Sequence, residues 1–85
     1  MKPVELYTTP ICGYCVAAKR LLESKGVSFS EFNVMLDSSK RTEMTQRSNG
    51  GRTVPQIFIG DQHIGGFDDM NALERAGKLD ALLAE

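Results

Sequence analysis

Long apolar runs, surplus charge and metal-ligating side chains are all scarce in this 85-residue chain, and each shortage closes off a class of function. No stretch approaches the ~18 consecutive apolar residues of a membrane-crossing helix. The opening Met1-Lys2-Pro3-Val4-Glu5 lacks the apolar core of a secretory leader, so a cytoplasmic protein without a membrane partner is expected. Ten Lys and Arg against eleven Asp and Glu leave a net charge of −1, which gives no electrostatic case for nucleic acid. Two cysteines and a single histidine, His63, fall short of the about four ligands of a structural zinc site. There is no internal repeat, low-complexity tract or linker, so residues 1–85 are expected to form a single domain with one modest core.

The chain does contain Cys12-Gly13-Tyr14-Cys15, set between a short apolar run and a helical pattern. Two thiols separated by two residues can close a disulfide within one helical turn. A thiolate at a helix start also sits among unpaired N–H groups at the positive end of the helix dipole. Both effects favour the anionic sulfur, the form that attacks disulfides. Buried structural cysteines and half of a zinc site are the alternatives. In a reducing compartment such a pair reads as a working dithiol rather than a permanent crosslink.

Elements follow from periodicity and punctuation. Val4 to Thr8 reads as a strand, and Ala17, Ala18, Leu21 and Leu22 recur at helical spacing until Lys25-Gly26 ends the helix. Val27 to Val34 alternates as a second strand. Asp37-Ser38-Ser39 offers N-caps for a polar helix to about Ser48, with Met44 as its clearest apolar anchor. Gln56–Ile59 and His63-Ile64 form a hairpin about Gly60-Asp61-Gln62. Asp68 and Asp69 then open a helix carrying Met70, Leu73 and Ala76, closed by Gly77, and Leu79 to Ala84 is a last short helix. The order β-α-β-α-β-β-α-α implies a parallel βαβ unit joined to an antiparallel hairpin: an α/β fold, a four-stranded mixed sheet flanked by helices.

Three further features bear on the cysteines. Pro55 opens a strand after Thr53-Val54; the ordinary form is a trans proline. X-Pro bonds tolerate the cis form, which would turn the Val54 N–H and C=O outward to pair with an extended peptide. Gly65-Gly66-Phe67-Asp68-Asp69 lets backbone approach a ligand closely. A helix start there supplies N–H donors to a carboxylate, with Asp68 available to an ammonium group; a glycine turn with an Asp N-cap is the simpler alternative. Tyr14 can wall a groove beside the thiols. His63 is read as a strand residue only, and Lys19, Arg41 and Arg47 as solvated helix charges.

Cys12-Gly13-Tyr14-Cys15, Thr53-Val54-Pro55-Gln56-Ile57-Phe58-Ile59 and Gly65-Gly66-Phe67-Asp68-Asp69 together resemble the three signature segments of the glutaredoxins, in order. The likeness covers essentially the whole chain and is closest to the small bacterial dithiol class. It implies a thioredoxin-like fold, glutathione as thiol partner, and a cis Pro55. It further implies Cys12 as nucleophile and Cys15 as resolving thiol, with Tyr14 lining the groove. Thr53 and Val54 would pair with the cysteinyl part of glutathione, and Gly66, Phe67, Asp68 and Asp69 would hold its γ-glutamyl end. Many dithiol members carry proline where this chain has Gly13, a lysine where it has Thr9, and cysteine where it has Phe67. Arg47, Gln56 and Arg52 are candidates to replace that lysine against the glycyl carboxylate.

The expected function is therefore a glutathione-dependent thiol–disulfide oxidoreductase acting as a monomer on protein disulfides and glutathione mixed disulfides. One alternative is a glutaredoxin-like protein reduced by thioredoxin reductase. Another starts from the freer backbone of Gly13: a dimer holding a [2Fe-2S] cluster through Cys12 and glutathione.

Overall fold

The computed structural model describes residues 2–84. Its elements are β1 (Val4–Thr8), α1 (Gly13–Ser24), β2 (Ser30–Asn33), α2 (Ser38–Arg47), β3 (Gln56–Ile59), β4 (Gln62–Gly65), α3 (Phe67–Arg75) and α4 (Leu79–Ala84). The sheet order is β2-β1-β3-β4. Strand β1 runs parallel to β2, with Tyr7 opposite Phe32, and antiparallel to β3, with Leu6 opposite Ile57. Strands β3 and β4 form the antiparallel hairpin, Phe58 opposite His63. This is the four-stranded mixed sheet expected from the order of elements, in the thioredoxin-like arrangement that the resemblance implies.

Alternation along the strands divides the interior into two. Val4, Leu6, Ile57 and Ile59 face Ala18 and Leu22 of α1, Met70 of α3, and Leu79 and Leu83 of α4. Tyr7 and Phe58 point to the opposite face, where Met44 of α2 and Val34 cover them. Helix α2 is polar, and its hold on the sheet is correspondingly mixed. Arg47 is not the solvated charge expected of it: it donates to Glu5 Oε1 at 2.9 Å and to Tyr7 Oη at 2.8 Å, and its guanidinium carbon lies 4.0 Å over the Phe58 ring. With one apolar anchor, the helix uses a cation as the second. Tyr7 Oη in turn donates to Glu43. Lys19 is also paired, with Glu31 at 3.1 Å.

Three boundaries differ from expectation. Strand β2 begins at Ser30, not Val27, because Val27 N–H donates to the Leu22 carbonyl at 3.1 Å and its side chain is buried with α1. Helix α3 begins at Phe67, capped by Gly66 rather than by an aspartate; Asp69 Oδ2 instead accepts the Gly66 N–H at 3.0 Å. Strand β4 takes in Gln62 and Gly65 as well as His63-Ile64. Gly65 has φ 114°, and a Cβ there would collide with the Asp69 carboxylate.

Two carboxylates tie elements together and should make stability acid-sensitive. The Tyr7 hydroxyl holds Glu43 below its ordinary pKa of 4.5, and the Thr8 hydroxyl does the same for Glu31. A lowered folded-state pKa means that the unfolded chain binds more protons at acid pH. The stabilisation is therefore present above pH 4.5 and is lost as pH falls through the folded values. Urea midpoints measured stepwise from pH 6 to pH 3 should fall, and in Glu43→Gln the fall should be shallower. An identical slope in both proteins would show that Glu43 carries none of it.

Candidate active site

The site is assembled where β1, the α1 N-terminus, the segment before β3 and the α3 N-terminus meet. Beyond Thr8 the chain turns through Thr9-Pro10-Ile11 and enters α1 with Cys12 as its N-cap, in extended backbone (φ −154°, ψ 105°). An N-cap side chain ordinarily offers oxygen to the orphan N–H groups of the first turn; here sulfur does so, Cys12 Sγ accepting the Cys15 N–H at 3.0 Å. The first turn of α1 has no acidic residue to offset the helix dipole. Everything the local backbone offers Cys12 thus favours a thiolate over a thiol.

Cys15 lies on the inner side of α1, 1% exposed, whereas Cys12 is half-buried. Their Cα atoms are 5.2 Å apart and the sulfurs are joined as a disulfide. The accessible sulfur and the sheltered one are therefore distinct before any chemistry begins.

Beside them is a cavity of about 460 Å³. It is lined by Tyr14, Thr53, Val54, Pro55, Gly66, Phe67, Asp68 and Asp69, together with Gln56, His63 and Gly65. All eight non-cysteine residues singled out from the sequence thus share one wall system, although they come from three separate segments. The Val54–Pro55 peptide is cis. The Val54 carbonyl oxygen lies 3.8 Å from Cys12 Sγ, so this backbone edge and the sulfur face one ligand position. The Tyr14 and Phe67 rings stack at 6.4 Å, closing the space between α1 and α3.

At the far end the first intrahelical bond of α3 is Met70 N–H to the Gly66 carbonyl. The N–H groups of Phe67, Asp68 and Asp69 precede it and lie free of the helix ladder. The two aspartates have separated duties: Asp69 is used as the cap of Gly66, and Asp68 is exposed with no partner among the described residues. Gly66 passes Pro55 at ordinary contact distance: a Cβ there would stand 3.6 Å from the Pro55 carbonyl oxygen.

Two cavity residues escaped the sequence reading. His63, taken as a strand residue only, lines the cavity, and Gln56 was considered only as a stand-in for a missing cation. The signal was Gln56, a polar residue opening the otherwise apolar strand Gln56–Ile59; His63 is exposed on the edge strand β4 and gave none of its own. Of the three candidates for the glycyl carboxylate, Arg47 is committed to Glu5 and Tyr7, and Gln56 to Thr53 and His63. Arg52 is exposed, adjoins Thr53 and has no partner among the described residues.

A vicinal cysteine pair at the N-terminus of the first helix of a four-stranded mixed sheet, opposite a cis-proline edge, defines the protein as a dithiol thiol–disulfide oxidoreductase of thioredoxin-like fold. The family model for glutaredoxin matches residues 4–64. Glutaredoxin 3 of Escherichia coli K12 is 57% identical over 83 residues, covering 98% of this chain and 99% of that one. A glutaredoxin of Pseudomonas aeruginosa is 54% identical over 84 residues, 99% of each. The buckwheat glutaredoxin–glutathione complex superposes with a TM-score of 0.88 at 31% identity, covering 98% of this chain and 77% of that one. The chain belongs to the glutaredoxin family.

Proposed function

We propose that this oxidoreductase uses glutathione as its electron donor, with Cys12 as nucleophile and Cys15 as resolving thiol. The observation that carries the reading is a cavity beside Cys12 with the Val54 backbone edge at one end and, at the other, a helix N-terminus with the Asp68 carboxylate, which has no partner among the described residues. Glutathione has matching parts. Its cysteinyl backbone pairs with Val54, its γ-glutamyl carboxylate takes the α3 N–H groups, and its ammonium takes Asp68. Tyr14 and Phe67 wall the groove, and Thr53 and Pro55 set the edge. Asp69 acts indirectly, by fixing Gly66. The superposable buckwheat protein was solved in complex with glutathione.

On a glutathione mixed disulfide the Cys12 thiolate attacks the glutathione sulfur. The old S–S bond breaks, and the substrate leaves as a thiolate that takes up a proton. A second glutathione, as thiolate, attacks the sulfur of the bound glutathione, releasing glutathione disulfide and regenerating the Cys12 thiolate. On a protein disulfide, Cys12 first forms a mixed disulfide with the protein. Cys15 then loses its proton and attacks Cys12 Sγ, forming the intramolecular disulfide that the structure holds and releasing the reduced protein. We place this work in the cytoplasm, on one domain; among the described residues no helix is long and apolar enough to cross a membrane.

The electron donor decides the reading. Wild-type protein with glutathione and glutathione reductase should turn over a glutathionylated peptide, and thioredoxin reductase should not replace them. Turnover with thioredoxin reductase alone would reverse the assignment. In the same assay Arg52→Ala should raise KM for glutathione a few-fold with kcat unchanged, as expected for an exposed cation on the glycyl carboxylate; an unchanged KM would remove Arg52 from that role.

The [2Fe-2S] reading finds less support. In that reading each chain of a dimer gives one thiolate, Cys12, for which Cys15 competes by closing the disulfide. Three further thiolates would have to come from outside the chain.

A further inference from the structure

Gln56 and His63 line the cavity yet have no part in the chemistry above. Gln56, 5% exposed, is the first residue of β3. Its Nε2 donates to the Thr53 carbonyl oxygen at 3.0 Å. A carbonyl oxygen only accepts, so this bond determines which end of the amide faces Thr53. The other end, Oε1, lies 2.6 Å from His63 Nε2. That oxygen also only accepts, so the shared proton sits on His63 Nε2. The imidazole is stacked on Phe58, centroids 4.9 Å apart and planes at 30°, and Phe58 is 1% exposed. The amide is enclosed on its other side too: a Cβ on Gly51 would stand 2.9 Å from Gln56 Nε2. His63 is exposed on the edge strand β4, and one face of its ring rests on Phe58; that stacking orients the ring, the ring holds the amide, and the amide holds a backbone carbonyl.

We infer that His63 is a positioning residue: through Gln56 it holds the Thr53 carbonyl, and with it the Val54 edge, in the orientation that pairs with glutathione. The inference rests on the glutathione reading proposed above. Its physical reason is that Thr53 and Val54 precede β3 and have no register partner in the sheet. An edge without a ladder bond swings unless something else holds it, and swinging weakens every hydrogen bond that it offers a ligand. The only side-chain donor to the Thr53 carbonyl among the described residues is the Gln56 amide.

His63→Phe keeps the ring on Phe58 and removes the N–H, while His63→Gln places an amide N–H at similar reach. With a glutathionylated peptide as substrate, His63→Phe should raise KM about three- to tenfold, the effect of one lost hydrogen bond. Its kcat and Tm should stay near wild type, and His63→Gln should recover most of the loss. Gln56→Met should show the same rise, and the double variant with His63→Phe should be no worse than either alone, because both cut one chain of contacts. An unchanged KM in His63→Phe, or a rise that His63→Gln shares along with a lower Tm, overturns the inference while leaving glutathione as donor. Failure of the wild-type protein to turn over with glutathione overturns both. Should His63→Phe not fold, the wild-type NMR spectrum decides: the Gln56 side-chain amide protons should be protected from exchange, and fast exchange there overturns the relay.

Discussion

Cys12→Ser should abolish turnover on every disulfide substrate, whereas Cys15→Ser should keep most of the activity on glutathione mixed disulfides and lose it on protein disulfides. The asymmetry follows from the positions of the two sulfurs. Cys12 is the accessible one at the helix N-terminus, and a serine hydroxyl there is neither ionised near neutral pH nor a nucleophile toward sulfur. Cys15 is 1% exposed, so an incoming disulfide reaches it only through Cys12. What stabilises the Cys12 thiolate from position 15 is the backbone N–H at 3.0 Å, and serine keeps that N–H. Only the route that needs a second sulfur should fail. Initial rates on a glutathionylated peptide and on a protein disulfide, measured for both variants, test this directly. Equal loss in the two variants on the glutathionylated peptide would show that Cys15 does more than resolve protein-bound intermediates.

The largest expected effect on stability is that of Phe58→Ala. Phe58 is buried at the centre of β3, edge-to-face with Tyr7 at 5.6 Å, stacked on His63, and covered by the Arg47 guanidinium. Removing a buried phenyl ring costs about 3–5 kcal/mol, from lost burial and the cavity left behind. Small domains hold only about 5–15 kcal/mol in total, and a chain of this length lies near the lower end because it buries a smaller fraction of its surface. The melting temperature should fall by about 15 °C or more. The cost should be high because the lost ring serves three elements: α2 through Arg47, β1 through Tyr7 and β4 through His63. Thermal unfolding followed by circular dichroism checks it, and a drop of under about 5 °C would mean that this core collapses to fill the space.

All eight elements follow from local pattern, and the reasons lie in particular residues. Gly26 and Gly77, at φ 70° and 73°, end helices α1 and α3 as glycines past a helix terminus do. Asp37 caps α2 through bonds to the Ser39 and Lys40 N–H groups. Legibility fails where a distant group competes with the local signal. Val27 has the side chain of a strand residue, yet its N–H completes the end of α1. The Asp68-Asp69 pair looks like an N-cap. Gly66 takes that place, and Asp69 reaches back to accept its N–H at 3.0 Å, so the carboxylate caps from inside the helix.

The cysteine spacing and the apolar periods are local chemistry, and they were enough for the dithiol, its helix and the layered α/β architecture. Helix capping, dipole and thiolate act within a few residues of one another, so no long-range contact has to be known. The union of Tyr14, Thr53–Pro55 and Gly66–Asp69 around one cavity depends instead on the β1–β3 pairing and on α3 packing beside α1. The same is true of the cation at Arg47 and the polar chain from His63 to Thr53. A charged or hydrogen-bonding side chain finds its partner across 7 residues in the case of His63 and Gln56, and across 42 in the case of Arg47 and Glu5. No periodicity encodes such partners; they exist only once the sheet has set its register and brought them within reach.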